Sequence, residues 1–343
     1  MAESDKNEIY LSSSPHYSMA ATTRHVMLCV VLALLPIAGY GVWLFGTPAL
    51  VTLAVSVASC VVFETVFRLV TGRESRAGDF SAVITGLLLA LVLPPSTPAW
   101  MTALGALFAV VVAKEFFGGL GANVFNPALS GRAFLLVSFA TPLTTWLSPR
   151  AGGVTDAVDA VTTATPLAWM KAAEGSVATA ADIADKTGLF SAGELYWNLF
   201  FGRRGGCIGE SSIFLIVLAF AFLALTRIID WRAPLAMVAS AVLVAALAGV
   251  DPLLTVLSGG LLFGATFMIT DYATSPVTPA GRLAFGAGAG LITALIRVFG
   301  GFPEGVMFSI LIMNALVPFL NRIIPRKYGW VKPARANGAG GNK

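Results

Sequence analysis

The densest run of chemistry-bearing residues is Asp159-Ala-Val-Thr162-Thr163-Ala164-Thr165-Pro166, which continues as Leu-Ala-Trp-Met-Lys171. Thr165 followed by Pro166 has the form of a helix N-cap and first helical position: the hydroxyl accepts from a free N–H, and proline needs no donor there. The same helix start favours a phosphate, through unpaired N–H groups and the positive end of the dipole. The run therefore reads as a short capped helix, or as a helix start that binds a phosphate. A second run is Gly118-Gly119-Leu-Gly121-Ala-Asn123-Val-Phe125-Asn126-Pro127-Ala-Leu-Ser130-Gly131-Arg132. Its glycines and proline interrupt any helix, which leaves either a packing break or a re-entrant segment. A re-entrant segment would line a cofactor or ion path, with Asn123, Asn126 and Arg132 as its polar groups. Arg203 and Arg204, just before Glu210, either snorkel or pair with an anion, whether Glu210 or a phosphate. Thr270-Asp271-Tyr272 through Pro276, Thr278 and Pro279 is a polar stretch broken twice by proline. Glu64, Arg297 and Glu304 complete the ionisable groups in or near apolar runs, where interhelical pairing is the plain explanation and function the sharper one.

Several chemistries are disfavoured. Cys29, Cys60 and Cys207 are far apart, and both histidines, His16 and His25, precede the first apolar run, so no zinc or iron–sulfur spacing exists and no metal is expected. No Gly-rich nucleotide motif opens a βαβ unit, and there is no Ser-His-Asp or HExxH arrangement. The formal charge of +4 is too small and too scattered for a nucleic-acid partner.

The elements that must hold these residues are apolar. Hydrophobic residues make up 57% of the chain and charged residues 12%, too few charges to cover a water-soluble surface of this size. Ten runs are long or apolar enough to be spans or part-spans: Val26–Gly46, Ala49–Val70, Phe80–Leu93, Ala99–Phe117, Pro127–Ala140, Ile213–Thr226, Pro234–Val250, Leu253–Ile269, Leu283–Phe299 and Gly305–Ile324. The fold class expected is an all-α polytopic membrane protein of about ten transmembrane helices, with broken or re-entrant segments and one long extracytoplasmic loop. No cleavable signal peptide is expected. Arg68, Arg73, Arg76, Lys114, Arg227, Arg232, Arg282 and the basic tail from Arg322 fall on one side of such a topology, whereas the turns Thr47–Pro48, Pro94–Pro98 and Asp251–Pro252 carry no Lys or Arg. Both termini are then cytoplasmic. The stretch Leu143–Glu194, with three bases against six acids, lies outside. The expected division is a cytoplasmic segment 1–25, a first membrane half 26–142, the outer loop 143–194, a second membrane half 195–324 and a cytoplasmic basic tail 325–343. Asn126-Pro…Arg132-Ala-Phe is echoed by Ser275-Pro…Arg282-Leu-Ala-Phe, which duplication or chance explains equally well.

Taken in order, these segments resemble the RnfD family, the D-type component of the Rnf complex, an ion-translocating ferredoxin:NAD+ oxidoreductase. They also resemble the paralogous NqrB component of the Na+-translocating NADH:quinone oxidoreductase. The resemblance runs through Leu11-Ser-Ser-Ser-Pro-His16, Thr85–Pro95, Gly118–Phe134, Ile208–Ser212, Thr270–Arg282, Arg297–Gly305 and Met313–Pro318. The short stretch before the first apolar run favours the Rnf branch. The resemblance implies FMN joined by a phosphoester to Thr165, the last residue of the motif Asp159, Thr162, Thr163, Ala164, Thr165, with Thr163 where Gly is commoner. It also implies a riboflavin in the membrane part and a flavin transferase for maturation. The partners it implies are the other Rnf subunits: RnfA and RnfE in the membrane, the flavin-bearing RnfG, and the iron–sulfur components RnfB and RnfC. The chain is then the FMN-carrying subunit of a Na+ or H+ pump in the cell (inner) membrane, without turnover alone. The alternatives are a channel or carrier for a small polar solute with no redox role, and a scaffold subunit whose loop only docks a partner.

Overall fold

The computed structural model describes residues 22–74, 77–147, 167–168, 192–202, 204–302 and 304–323. Among these residues the elements are helical and no β-strand is present. The first half comprises α1 (Thr23–Phe45), α2 (Thr47–Val70), α3 (Ser81–Val92), α4 (Ala99–Leu107), α5 (Pro127–Ser138) and the short α6 (Ala140–Leu143). The second half comprises α7 (Ala192–Phe201), α8 (Ile213–Leu225), α9 (Arg232–Leu247), α10 (Pro252–Leu257), α11 (Leu261–Phe263), α12 (Pro279–Phe299) and α13 (Val306–Leu320). The ten apolar runs of the sequence are helical over most of their length. Three helices, α1, α2 and α12, are long and apolar enough to cross a membrane by themselves, with mean hydropathies of 2.2, 2.1 and 1.5. Large apolar side chains such as Val70, Val137, Leu225, Leu247 and Phe299 stand exposed. Lipid accommodates such a surface and water does not.

Two helices change pitch. α4 runs straight into a π-helical segment, Phe108–Glu115, and α11 into another, Gly264–Met268. Each is followed by non-helical backbone and then by a helix with the same kind of start. Asn126 caps α5 with Pro127 beside it, and Thr278 caps α12 with Pro279 beside it. The echo in the sequence is thus matched by a repeated local architecture of π segment, break, cap and proline. α3 is buried on nearly every side and packs against α1, α2, α4 and α5. In the second half the main contact is α9 on α12. Gly286 and Gly290 let those two backbones meet there, in the small-xxx-small pattern of membrane helix pairs.

Candidate functional site

Three polar regions interrupt the apolar bundle. In the first, α2 supplies Glu64 and Arg68, and the first π segment supplies Lys114 and Glu115. Neighbouring residues on a regular helix diverge, so burying both Lys114 and Glu115 requires partners on two sides. Lys114 Nζ donates to Glu64 Oε2 at 2.7 Å and to Ser81 Oγ at 2.8 Å. Arg68 donates to Glu115 Oε1 at 2.9 and 3.2 Å. Glu64 Oε1 and Glu115 Oε2 accept no hydrogen bond; their nearest cations are Arg68 Nε at 3.7 Å and Arg73 Nη1 at 3.8 Å. Gly119, at φ +92°, brings the following loop onto this pair, and a Cβ there would stand 2.6 Å from Arg68 Nη2. The charge pattern of the sequence marks Arg68 and Lys114 as loop residues. They are interior groups instead, because the π segment and α2 face each other.

The second region is a cavity of about 90 Å3 between the two broken elements. Ser81, Lys114, Asn123 and Asn126 line one side; Thr266, Thr270 and Asp271 line the other. Asn126 Oδ1 accepts from Leu129 N at 3.2 Å, and Asn123 Nδ2 donates to Phe125 O at the same distance. Asp271 accepts from Thr274 Oγ1 at 3.1 Å. Asn314, oriented to satisfy its amide, donates to Thr274 O and accepts from Asn126 N, which ties the two breaks together. The volume holds several waters. Near its rim, Asp230, in the turn between α8 and α9, is ion-paired to Arg282 at 2.6 Å and to Arg232 at 3.0 Å. Burial pushes the Asp230 carboxyl up. The Arg232 backbone N–H and the two guanidinium groups outweigh that effect and hold it below the usual carboxylate range.

The third region joins Arg132 of α5, Arg204, Glu210, Arg297 of α12 and Glu304. Arg132 approaches Glu210 Oε1 at 3.9 Å and Cys207 Sγ at 3.5 Å. Arg204 is buried and donates to three carbonyls: Leu257 at 2.6 Å, Glu210 at 2.7 Å and Gly259 at 3.3 Å. Arg297 donates to the Thr255 and Ser258 carbonyls and to Glu304 Oε1 at 3.0 Å; Glu304 Oε2 accepts from Gly260 N. Gly259, at φ +65°, forms a notch in this wall. A Cβ there would stand 2.4 Å from Leu167 Cδ1, 2.5 Å from Glu304 Oε2 and 2.8 Å from Arg297 Nη2. Leu167 is buried in that notch.

The residues singled out in the sequence are thus divided. Asn123 and Asn126 line the cavity, whereas Arg132 belongs with Arg204, Arg297 and Glu304 in the third region. Asp159, Thr162, Thr163, Ala164, Thr165 and Arg203 lie outside the described residues. Of their surroundings the structure gives Leu167, two positions beyond Thr165. Glu115, Cys207 and Gly259 join these sites without having been singled out by sequence reasoning. The adjacent pair Lys114-Glu115 inside an apolar run, with Glu64 and Arg68 spaced i,i+4, is the available signal for the first region.

The model of the NQR2, RnfD, RnfE family matches residues 10–329. The D component of the proton-translocating ferredoxin:NAD(+) oxidoreductase complex of Clostridium ljungdahlii is 41% identical over 336 residues, 96% of this chain and 98% of that one. The D component of the Na(+)-translocating ferredoxin:NAD(+) oxidoreductase complex of Acetobacterium woodii is 40% identical over 95% of this chain and 98% of that one. The D component of the ion-translocating oxidoreductase complex of Stutzerimonas stutzeri is 40% identical, with 90% and 93% covered.

Proposed function

The chain belongs to the NQR2, RnfD, RnfE family and is a membrane subunit of a redox-driven ion pump, within which we propose that it carries FMN on Thr165. The observation that carries the proposal is Leu167. Two positions past the proposed acceptor, it is buried in the Gly259 notch beside Arg297. Arg132, Arg204 and Arg297 make the wall around that notch cationic, which suits an anionic linker. When bound, the flavin supplies one- and two-electron redox chemistry. This chain's own residues hold the flavin and set the charge around it. Asp159 repels a phosphate and serves recognition by the flavin transferase. A riboflavin within the membrane part is proposed from the family resemblance.

The loop is proposed to lie outside the membrane and both termini in the cytoplasm. The asymmetry of Lys and Arg supports this even when the buried Arg68 and Lys114 are set aside, because Arg73, Arg227, Arg282 and Arg322 remain on one side. Partners are the other subunits of an Rnf-type complex, and the subunit has no turnover alone. The relatives' names divide between protons and Na(+) at nearly equal identity, so overall similarity does not choose the ion.

The deciding experiment is in-gel flavin fluorescence of the denatured chain. Thr165→Val keeps size and branching but deletes the hydroxyl; the fluorescent band and the FMN-sized mass addition should both vanish. A band that persists places the acceptor elsewhere. A wild-type chain without covalent flavin would favour the scaffold subunit, whose loop only docks a partner.

A further inference from the structure

Helix α7 is too short to span a bilayer: its 10 residues, at 1.5 Å each, reach about 15 Å, half of a hydrocarbon core. Its sequence, Ala-Gly-Glu-Leu-Tyr-Trp-Asn-Leu-Phe-Phe, is nonetheless apolar around most of its circumference. Leu195 and Leu199 face the bundle, buried against Ile213, Leu254 and Leu257, and the Tyr196 hydroxyl donates to the Asp251 carboxylate. Trp197 and Phe201 form a stripe on the opposite side, about 200° away at 3.6 residues per turn, and Glu194 and Asn198 form a polar stripe beside them. Trp197 is 64% exposed, with its ring stacked on Phe201 at 5.6 Å. Phe201 in turn meets Phe214 in the first turn of α8.

The exposed apolar surface continues from Phe214 along α8 through Leu218 to Leu225, which is surface that lipid covers. The rings are thus continuous with the membrane-facing side of the bundle. Their depth follows from α1. The Tyr40 hydroxyl donates to the Phe201 carbonyl at 2.6 Å, and the Tyr40 ring lies 5.5 Å from Trp43, so the end of α1 and the end of α7 share one level. Trp43 stands 19 positions beyond the exposed Arg24. At 1.5 Å per residue that is about 28 Å, which matches the roughly 30 Å of hydrocarbon between two headgroup layers. Tyr40, Trp43 and Trp197 therefore stand at a membrane boundary, where rings with an apolar body and a polar tip are favoured.

We propose that α7 is an interfacial helix, lying along the headgroup–acyl boundary with Trp197 and Phe201 in phospholipid and the Glu194–Asn198 stripe toward water. The proposal does not depend on the flavin assignment. Gly202, at φ +92°, ends the helix at a point where a Cβ would collide with the Ser211 carbonyl. Arg204 follows and holds the carbonyls of Leu257 and Gly259, so the chain turns from the boundary straight into the bundle.

The test uses the assembled complex in a bilayer of phosphatidylcholine and phosphatidylglycerol. Nitroxide labels are placed one at a time through Glu194→Cys, Trp197→Cys and Leu218→Cys; the native Cys29, Cys60 and Cys207 are buried and are poor targets. Each label is read for collisions with oxygen, which concentrates among acyl chains, and with a nickel chelate, which stays in water. The nickel-to-oxygen ratio should fall in the order 194, 197, 218. A ratio at 197 equal to or above that at 194 puts the rings in water and overturns the proposal. A ratio at 197 equal to or below that at 218 puts the helix among the acyl chains, which also overturns it. Loss of collisions with both reagents at 197 means that protein covers the rings, whether another subunit or another part of this chain, and the proposal fails again. Should Trp197→Cys fail to assemble, Phe201→Cys reports the same stripe one turn on, and its ratio should also fall between those at 194 and 218.

Discussion

Removing Lys114 alone should be far more damaging than removing Lys114 together with Glu64. The lysine is 2% exposed, and its ammonium is divided between Glu64 Oε2 at 2.7 Å and Ser81 Oγ at 2.8 Å. Lys114→Met fills similar space but strands the Glu64 carboxylate in an apolar interior, where breaking one side of a buried pair costs roughly 3–5 kcal/mol. Arg68 Nε remains 3.7 Å from the other carboxylate oxygen, which keeps the cost near the lower end, about 3 kcal/mol. Against a total stability of roughly 5–15 kcal/mol, that is a large fraction. The double variant Glu64→Met, Lys114→Met removes one charge of each sign, leaves Arg68 on Glu115, and should fall within about 1 kcal/mol of wild type. Thermal unfolding of the four members of the cycle, in one detergent at one lipid content, measures the difference. If the double variant is as unstable as Lys114→Met, the pair is not an isolated unit and the reasoning fails. If Lys114→Met is itself neutral, the carboxylate is not confined to the interior.

Other outcomes follow from the same geometry. Gly290→Ala should destabilise the α9–α12 contact by about 1–3 kcal/mol, because its Cβ would sit 2.1 Å from the Met237 carbonyl, whereas Gly288→Ala meets only the flexible end of Met313 and should be nearly neutral; unfolding midpoints that rank the two the other way contradict the packing. Asp230→Asn should cost under about 1 kcal/mol. With its carboxyl held below the ordinary range, the contribution of Asp230 is complete above the unfolded value of about 3.9 and lost only as pH falls below it, so the cost should be the same at pH 5 and pH 8; a cost that vanishes at pH 5 reverses the sign assigned here. A single cysteine at position 180 should react with an impermeant reagent from outside the cell, and labelling from the cytoplasmic side alone would overturn the proposed orientation of the flavin loop.

The apolar runs were legible because a lipid-exposed backbone must satisfy its own hydrogen bonds, so each run had to be helical. The starts of α5 and α12 were legible as well: Asn126-Pro127 and Thr278-Pro279 are local signals, and local signals survive into the fold. What the sequence hid was partnership across the bundle. Arg68 and Lys114 lie near the ends of apolar runs, where positive residues usually mark loops, and nothing in a linear pattern announces that a π segment turns Lys114 and Glu115 toward α2. The run Gly118–Arg132 is divided between two regions for a related reason. Arg132 is six positions beyond Asn126, and at 1.5 Å per residue that step spans about 9 Å, enough to carry the arginine from the cavity to the cluster around Glu210. Asn123 and Asn126 therefore face the cavity, and Arg132 lies about a turn and a half further along the helix. One contiguous motif thus contributes to two sites: its amides face the cavity between the breaks, and its guanidinium joins the cationic wall where Leu167 is seated.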